Sequence, residues 1–361
     1  MKHKVFCCLA VCVLLLAGSM QGRANPAAYT IKDLGTLGGG DSRAYSINDR
    51  GQVVGGSTTT GSITHAFLYD GIMHDLGTLP GGNSSVAYGI NDRGQVVGQS
   101  YASSSGEGHA FLYDGTMHDL GTLGGRNSYA RDINNSGQVV GYSSTSSGTH
   151  AFLYDGTMHD LGTLPGGYSS YAEGINDRGQ VMGCAITNSV DYHTFLYDVT
   201  MHDLGTLGGV GSYAVDINNN GKVVGTILTS ITPSYSWHAY LYDGTIHDLG
   251  TLSDGFDSEA YGINDFDQVV GTAYNRGGNE FAWVWHNGSM IDLNTVVDLD
   301  DDWSYLQWAE AINNAGQIAG TGITKNGDSH AFLLTPVPEP SSLLALVAGL
   351  GGLGILYRRR K

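Results

Sequence analysis

The sequence predicts an all-β fold, a seven-bladed β-propeller of four-stranded antiparallel blades, from three observations. A unit of about 43 residues recurs seven times between residues 29 and 335, a period typical of propeller blades. Each unit carries four short strand-like signatures separated by turn residues. Glycine supplies 55 of the 361 residues, and the repeated region contains no long amphipathic helical pattern.

The four signatures occur in a fixed order, and each predicts one strand. They are an Ile-Asn segment, a Gly-Gln-Val-Val-Gly segment, a His-Ala-Phe-Leu-Tyr segment and an Asp-Leu-Gly-Thr-Leu segment. Asn-Asp-Arg-Gly and Tyr-Asp-Gly-Thr predict hairpin turns after the first and third strands, because Asn, Asp and Gly tolerate positive φ. The connection after the fourth strand should therefore cross from the outer edge of one blade to the inner edge of the next.

The two ends of the repeated region complement each other. Residues 29–34 carry a fourth-strand signature that has no preceding partners, and residues 330–334 carry a third-strand signature that has no successor. We expect the N-terminal strand to complete the last blade, whose other strands come from residues 307–335. Such a closure removes open sheet edges.

The first 24 residues predict a signal peptide. A basic start at Lys2 and Lys4 precedes an apolar run from residue 5 to residue 17 and then small and polar residues. Three of the four cysteines lie in this segment, so the exported body would keep only Cys184 and could not form an internal disulfide framework.

Residues 337–361 contain a Val337-Pro338-Glu339-Pro340 stretch, an apolar run that predicts a transmembrane helix at 343–357, and a basic tail with Arg358, Arg359 and Arg360. In this order and position, the segment closely resembles the PEP-CTERM sorting signal. The resemblance implies a Gram-negative bacterium, an inner-membrane intermediate held by the C-terminal helix, and processing near the Pro-Glu-Pro triplet by an exosortase. It also implies release to the cell surface or the extracellular space, commonly in an exopolysaccharide or biofilm context.

The repeated strings themselves resemble the extracellular HAF repeat family, which is named after its His-Ala-Phe tripeptide. The resemblance covers residues 29–335 and implies an exported repeat protein without a defined activity. The sixth repeat departs from the pattern with Glu280 in place of the histidine, and the seventh carries an acidic insertion near residue 300.

Charge and motifs exclude several functions. The net charge is −17, and seven of the 17 basic residues lie at the two ends, so the body should repel nucleic acid. No nucleophile motif, Walker loop or dinucleotide fingerprint occurs, so we expect no cofactor and no enzyme activity. A secreted glycan hydrolase is the alternative, because Glu173, Glu259 and Glu310 lie near first strands and could face the central channel.

The remaining site hypotheses each have a structural alternative. The repeated histidines favour a structural role, with the imidazole bonding turn or cross-blade backbone, over a ring of metal ligands. Candidate residues for a weak cation site, or else a solvated loop, are Asp298, Asp300, Asp301 and Asp302. Candidate residues for stacking on sugars, or else for packing, are Tyr168, Tyr192, Tyr235 and Trp237. We therefore expect a non-catalytic surface or matrix protein that binds an exopolysaccharide or a surface protein, through features that differ between the units.

Overall fold

The computed structural model describes residues 29–102, 106–187, 192–230, 235–253, 255–299 and 302–337. Residues Tyr29–Pro336 form one compact body. It consists of 28 strands and a short 3-10 helix at Leu293–Thr295, counted over the described residues. Each stretch of about 43 residues contributes four strands, which we number in chain order and group as repeats 1 to 7.

The strands of the first three repeats lie next to one another in the order of the chain. Repeat 1 contains β2 (Gly38–Ile47), β3 (Val53–Thr59), β4 (Thr64–Tyr69) and β5 (Met73–Gly77). Repeat 2 contains β6 (Gly82–Ile90), β7 (Val96–Ala102), β8 (Gly108–Tyr113) and β9 (Met117–Asp119). Repeat 3 contains β10 (Ser128–Ile133), β11 (Val139–Ser144), β12 (Thr149–Tyr154) and β13 (Met158–Asp160).

The next three repeats have the same order of strands. Repeat 4 contains β14 (Ser169–Ile175), β15 (Val181–Ile186), β16 (Tyr192–Tyr197) and β17 (Met201–Gly205). Repeat 5 contains β18 (Gly211–Ile217), β19 (Val223–Ser230), β20 (Ser236–Tyr242) and β21 (Ile246–Gly250). Repeat 6 contains β22 (Gly255–Ile263), β23 (Val269–Asn275), β24 (Glu280–His286) and β25 (Ser289–Asp292). One parallel pair, Thr149 with Ser169, joins repeats 3 and 4 into a single sheet.

Repeat 7 is assembled from both ends of the body. It contains β26 (Trp303–Ile312), β27 (Ile318–Thr324), β28 (Ser329–Pro336) and, as its fourth strand, β1 (Tyr29–Asp33). β1 runs antiparallel to β28, with Tyr29 opposite Pro336 and Asp33 opposite Phe332. The N-terminal strand thus lies where the sequence predicts it.

Small residues allow the sheets to pack closely. The first strand of every repeat carries a buried alanine at the same place: Ala44, Ala87, Ala130, Ala172, Ala214, Ala260 and Ala309. The glycine of the second strand faces the neighbouring backbone, and a Cβ at Gly141 would collide with the carbonyl oxygen of Tyr129. Only glycine fits there. A large buried side chain from the third strand, such as Phe152, fills the remaining space.

A ring of asparagines links the repeats. The asparagine that follows the first strand is 3–4% exposed in every repeat: Asn48, Asn91, Asn134, Asn176, Asn218, Asn264 and Asn313. Each Nδ2 donates a hydrogen bond to the main-chain oxygen of the equivalent asparagine in the next repeat. Asn313 donates to Asn48 at 3.0 Å, which brings the series back to its start. Buried amides are thereby satisfied by contacts between repeats.

The repeated histidines bind carboxylates, which adds side-chain partners to the backbone partners that the sequence predicts. In the His-Ala-Phe segments, Nδ1 of His65 lies 2.9 Å from Asp75 of the same repeat, and equivalent pairs recur along the chain. In the following strand, His74 pairs with Asp70 of the turn at 2.8 Å. The histidines therefore form structural side-chain pairs with aspartates, and His330 also bonds to the main chain of Gly40 in the neighbouring repeat.

The sequence predictions for the two ends fall largely outside the described residues. These are the signal peptide at 1–24, the transmembrane helix at 343–357, and the sorting residues Pro338, Glu339, Pro340, Arg358, Arg359 and Arg360. Val337 is described and is 41% exposed. Among the described residues, no helix has the length and apolar character needed to cross a membrane.

Candidate functional site

One residue in each first strand is displaced from the pairing with the second strand. In repeat 3, Ala130 pairs with Gly141 and Asp132 pairs with Val140, so Arg131 between them is a β-bulge. The same shift occurs in every repeat and sets apart Tyr45, Tyr88, Arg131, Glu173, Val215, Tyr261 and Glu310. A bulge changes the direction of its side chain without ending the strand. We call these the seven bulge residues.

The seven bulge residues line a single cavity of about 350 Å³, which we call the central cavity. Four further residues complete its wall one position along the strands: Ser46, Asp132, Asp216 and Ala311. The bulge positions differ between repeats, although an invariant alanine precedes each one and Ile-Asn follows two positions later. The fold thus brings the variable positions of a regular sequence to one place.

Arg131 and Glu173 form an ion pair in the wall of the cavity. Nε of Arg131 donates to Oε2 of Glu173 at 2.6 Å, and the guanidinium lies 4.9 Å from the ring centroid of Tyr88. Burial is the largest single influence and lowers the pKa of Arg131, but the Glu173 carboxylate together with Tyr142 and Tyr88 raises the pKa above its ordinary value. The guanidinium is held between a carboxylate and an aromatic face, an arrangement that fixes its orientation.

Glu310 presents a carboxyl group without a hydrogen-bond partner among the described residues. Burial raises the pKa of Glu310 to about 7, and Glu259 acts in the same direction. Arg43 and Arg131 oppose the shift without cancelling it. At neutral pH this carboxyl group is therefore divided between its protonated and ionised forms.

Two aspartates contribute further carboxyl groups on the side of the asparagine ring. Asp132 accepts the main-chain N–H groups of Ile133 and Ile175, and Asp216 accepts those of Ile217 and Ile263. Burial raises the pKa of Asp216 to about 7, and Asp132 also raises it. The wall contains four carboxyl groups and a single cationic side chain, Arg131, so acidic groups outnumber basic ones.

Aromatic side chains cluster at one end of the strands. The turns after the first and third strands lie at one end of each sheet, so the connections after the second and fourth strands lie at the other end, which we call the loop end. There the ring of Tyr213 lies 4.5 Å from Tyr192 and 5.9 Å from Trp237, measured between centroids. These three residues form the Tyr192 cluster. A second group has Tyr142 between Tyr129 and Tyr171, at 4.8 and 5.1 Å.

The four sugar-stacking candidates all lie at the loop end, but only two of them come together. Tyr192 and Trp237 belong to the Tyr192 cluster, where Tyr213 bridges them. Tyr168 is 52% exposed and Tyr235 is 64% exposed, and neither makes a ring contact within the described part of the chain. Of these four candidates, two therefore share one contiguous aromatic surface and two are separate exposed rings.

A second pocket of about 550 Å³ opens between repeats 1 and 2 beside the central cavity. It exists because Gly56 and Val86 occupy positions where other repeats carry larger residues, such as Tyr142 and Tyr129. Tyr45 lines both this pocket and the central cavity. The two spaces are therefore neighbours.

The metal hypotheses receive no geometric support from the residues that the structure describes. No three His, Cys, Asp or Glu side chains in those residues lie close enough together to hold an ion. Of the four candidate aspartates, Asp298 and Asp302 are described, whereas Asp300 and Asp301 lie outside the described residues. The repeated histidines are engaged by aspartates, as noted above.

Sequence reasoning found part of the central cavity. Glu173 and Glu310 were expected near the channel and line the cavity. Glu259 lies two positions before the bulge of its repeat, where its Oε2 accepts the hydroxyl of Tyr261 at 2.8 Å. Tyr45, Tyr88, Arg131 and Tyr261 were missed. The signal that could have found them is the first of the two variable positions between the invariant alanine and the invariant Ile-Asn pair.

Two family models match parts of the chain. Residues 80–165 match a family described as a protein of unknown function (DUF3466). Residues 336–361 match the PEP-CTERM protein-sorting motif. The second match indicates an exported protein that exosortase processes and sorts to the cell surface, as the sequence predicts. The HAF resemblance is not among these matches. None of the curated proteins matches this chain.

Solved structures with a similar fold include a β-propeller domain. The β-propeller domain of the trilobed protease from Pyrococcus furiosus matches with a TM-score of 0.56 and 10% identity, covering 86% of this chain and 94% of that chain. Its description reports an open velcro topology, whereas β1 pairs with β28 here. An acylaminoacyl peptidase from Pyrococcus horikoshii matches with a TM-score of 0.52 and 11% identity, covering 84% of this chain and 53% of that one.

A lectin from Aleuria aurantia, solved with Fucα1-6GlcNAc, matches more weakly. Its TM-score is 0.39 at 14% identity, covering 71% of this chain and 96% of that chain. At these identities the similarity to the two Pyrococcus structures concerns the fold alone, and the lectin match carries no argument about function. The chain is thus an exosortase-sorted surface protein with a propeller-like body of four-stranded antiparallel sheets.

Proposed function

We propose that this protein is a non-catalytic surface or matrix component, a closed seven-bladed β-propeller that binds an extracellular polysaccharide. The seven repeats, the pairing of β1 with β28 and the bond from Asn313 to Asn48 support the closed ring. The sorting motif at residues 336–361 supports the location, and we extend that location to an exopolysaccharide or biofilm matrix.

The central cavity is the observation that carries the binding proposal. Its wall combines three tyrosines with an ion pair and further carboxyl groups, which suits a polar ligand that also has flat apolar faces, such as a sugar. Its volume of about 350 Å³ lies at the lower end of the ~300–1,000 Å³ typical of ligand sites, enough for one or two sugar units. The Tyr192 cluster offers a second stacking surface at the loop end.

A glycan array with the exported full-length protein tests this function. We expect binding to a restricted set of bacterial polysaccharides, which Tyr88→Ala should weaken by about tenfold. Val215→Ala is the matched control, because it changes another bulge residue without removing an aromatic face. Uniform absence of binding, or equal effects of both substitutions, would contradict a sugar site in the central cavity.

Glycoside hydrolysis is the second candidate, and one specific observation favours it. Glu310 has a pKa raised to about 7, as a general acid needs, while Glu173 is paired with Arg131 in the same wall. The hydrolase proposal predicts turnover of a bacterial polysaccharide and its loss in Glu310→Gln and Glu173→Gln. Binding without the release of reducing ends would favour the non-catalytic function.

A further inference from the structure

The wall of the central cavity has more carboxyl groups than cationic side chains to pair with them. It carries the carboxyl groups of Asp132, Glu173, Asp216 and Glu310 against one guanidinium, Arg131, which Glu173 already engages. Asp132 and Asp216 accept hydrogen bonds from main-chain N–H groups, which carry no net charge. Arg43 does not line the wall and lies 4.7 Å above the ring of Trp308, yet it lowers the pKa of Glu310 more than Arg131 does, without cancelling the effect of burial.

The same wall presents aromatic faces. Tyr45 and Tyr88 have ring centroids 5.3 Å apart at a tilt of 55°, and Tyr261 lines the cavity on another strand. Aromatic faces attract cations through the ring quadrupole, and carboxylates attract them by charge. Aromatic and acidic groups together favour an organic cation over an anion or a neutral polyol.

A bare metal ion fits this wall poorly. The carboxyl groups are distributed around the cavity rather than gathered at one point, since no three acidic or histidine side chains of the described residues converge as ligands would. A ligand that contacts several of them must extend across the cavity. A ring or short chain that carries an ammonium group has the required size and charge.

We propose that the central cavity binds a sugar unit with a free protonated amine, that is, an amino sugar without its N-acetyl group. This inference rests on the proposed function, because it names the chemical class recognised at the same site. The ammonium group is placed against Glu310 and Asp216, and the faces of the sugar ring lie against Tyr45 and Tyr88. The net charge of −17 adds long-range attraction for a polycationic glycan.

The titration of the wall gives this binding a defined pH dependence. Glu310 faces Arg43, Arg131 and Glu259, and burial holds its pKa at about 7 in the free protein. A bound ammonium group stabilises the ionised carboxyl group, so binding releases protons near pH 7. Affinity should therefore increase as the pH rises through 7, and then decrease once the amine itself loses its proton.

Calorimetric titration of the full-length protein tests the inference with three oligosaccharides of equal length, built of glucosamine, N-acetylglucosamine or glucose. We expect glucosamine oligomers to bind about tenfold tighter than N-acetylglucosamine oligomers near pH 7.5. Glu310→Gln should remove most of that difference, while Asp70→Asn, which removes a carboxylate of an outer turn, should leave it unchanged.

The outcomes separate this inference from the function on which it rests. Equal binding of all three oligosaccharides would overturn the amine specificity and leave a sugar site in place. Tighter binding of N-acetylglucosamine or glucose oligomers would also overturn the specificity. If Nα-acetyl-lysine amide bound and the glucosamine oligomers did not, the cavity would bind peptides, and both proposals would be wrong. Binding of none of these probes would overturn the amino-sugar inference, while the glycan array still tests the wider function.

Discussion

Nδ1 of His330 lies 2.8 Å from Oδ2 of Asp33, and this pair joins β28 to β1 across 297 positions of the sequence. Equivalent histidine–aspartate pairs elsewhere span ten residues within one repeat. The His330–Asp33 pair is therefore the member of the series that holds the two ends of the body together. Trp303 packs edge-on against the imidazole at 6.5 Å.

We call the His330–Asp33 pair the latch. Its contribution to the stability of the fold should depend on pH. The hydrogen bond to Asp33 raises the pKa of His330 above 6.5. The stabilisation that His330 contributes is therefore complete below pH 6.5 and is lost as the pH rises through the pKa of the folded protein. Burial raises the pKa of Asp33, but the bonds from His330 and Gly35 lower it below 3.8, so its contribution is lost as the pH falls. We expect the pair to stabilise most between pH 3.8 and 6.5.

Replacing the histidine of the latch measures this contribution. His330→Ala should lower the free energy of unfolding by about 1 kcal/mol at pH 6, and by less at pH 8, in urea denaturation. His150→Ala, within the pair formed with Asp160, is the control. Only the latch variant should expose β1 to limited proteolysis. Equal protease sensitivity of the two variants would contradict a special role for His330.

The asparagine ring should be intolerant of an added charge. Nδ2 of Asn176 donates to Gln180 at 2.9 Å and to the main-chain oxygen of Asn218 at 3.1 Å. Asn176→Asp replaces this donor by an acceptor facing two oxygens, which should cost about 2–4 kcal/mol in urea denaturation. Asn127→Asp is the control, because Asn127 uses its Oδ1 to accept the N–H of Gly108, which a carboxylate also does. Comparable losses of stability in both variants would contradict a specific requirement for an amide donor in the asparagine ring.

The acidic wall of the central cavity should destabilise the folded protein at high pH. The pKa of Glu310 is raised from 4.5 to about 7 by burial, so the folded state binds its proton more tightly than the unfolded state. Its contribution is most favourable below pH 4.5 and is lost as the pH rises toward 7. Glu310→Gln should therefore stabilise the protein by about 1 kcal/mol at pH 8 and change little at pH 4.5.

Glu173→Gln makes the contrasting change in the same wall. It leaves the Arg131 guanidinium without its carboxylate and should destabilise by about 1–3 kcal/mol at pH 8. The thermal midpoints of Glu310→Gln and Glu173→Gln, measured at pH 4.5 and pH 8, test these opposite effects. If both substitutions shifted stability in the same direction at pH 8, the electrostatic account of the cavity would be wrong.

The Tyr192 cluster should contribute to affinity rather than to stability. Trp237→Ala removes one face of the contiguous surface with Tyr213, and we expect polysaccharide affinity to fall by about tenfold. Tyr168→Ala removes an isolated exposed ring and should have a smaller effect. Affinity electrophoresis in polysaccharide gels can compare the two. If Tyr168→Ala reduced affinity more than Trp237→Ala, the Tyr192 cluster would not be the stacking surface of the loop end.

The sorting motif predicts a defined processing event. Mass spectrometry of the surface protein should find a C-terminus near the Pro338-Glu339-Pro340 triplet, without the basic tail. Replacing the three residues together by alanine should retain the protein in the inner-membrane fraction. A strain that lacks exosortase is the control and should show the same retention. A surface protein that kept residues 341–361 would contradict this processing.

Much of the fold could be predicted because it repeats. The Ile-Asn, Gly-Gln-Val-Val-Gly and His-Ala-Phe segments each recur with constant turns, so strand order and the position of β1 followed from counting. The bulges were not predicted, although the spacing of three between the buried alanine and the buried isoleucine of each first strand, as in Ala130 and Ile133, departs from the alternation of a regular strand. Arg131 and Tyr88 gain their common site only through the curvature that brings seven strands around one cavity.

The aspartate partners of the repeated histidines were missed for a related reason. His65 and Asp75 are ten positions apart, and only the antiparallel pairing of β4 with β5 places them side by side. The Tyr192 cluster depended similarly on Tyr213, which lies on a different repeat from Tyr192 and was not among the candidates. Contacts between repeats depend on rotation from one sheet to the next, which a single repeat sequence does not encode in any visible pattern.

The pairing of β1 with β28 has a consequence for the order of events during secretion. A chain threaded through a membrane from its N-terminus delivers β1 first and β28 last, so the earliest strand must wait for nearly the whole polypeptide before it finds its partner. β28 ends at Pro336, where the match to the sorting motif begins. Completion of the last sheet and presentation of the cleavage segment therefore coincide, and maturation can act on a body whose final strand has just been delivered.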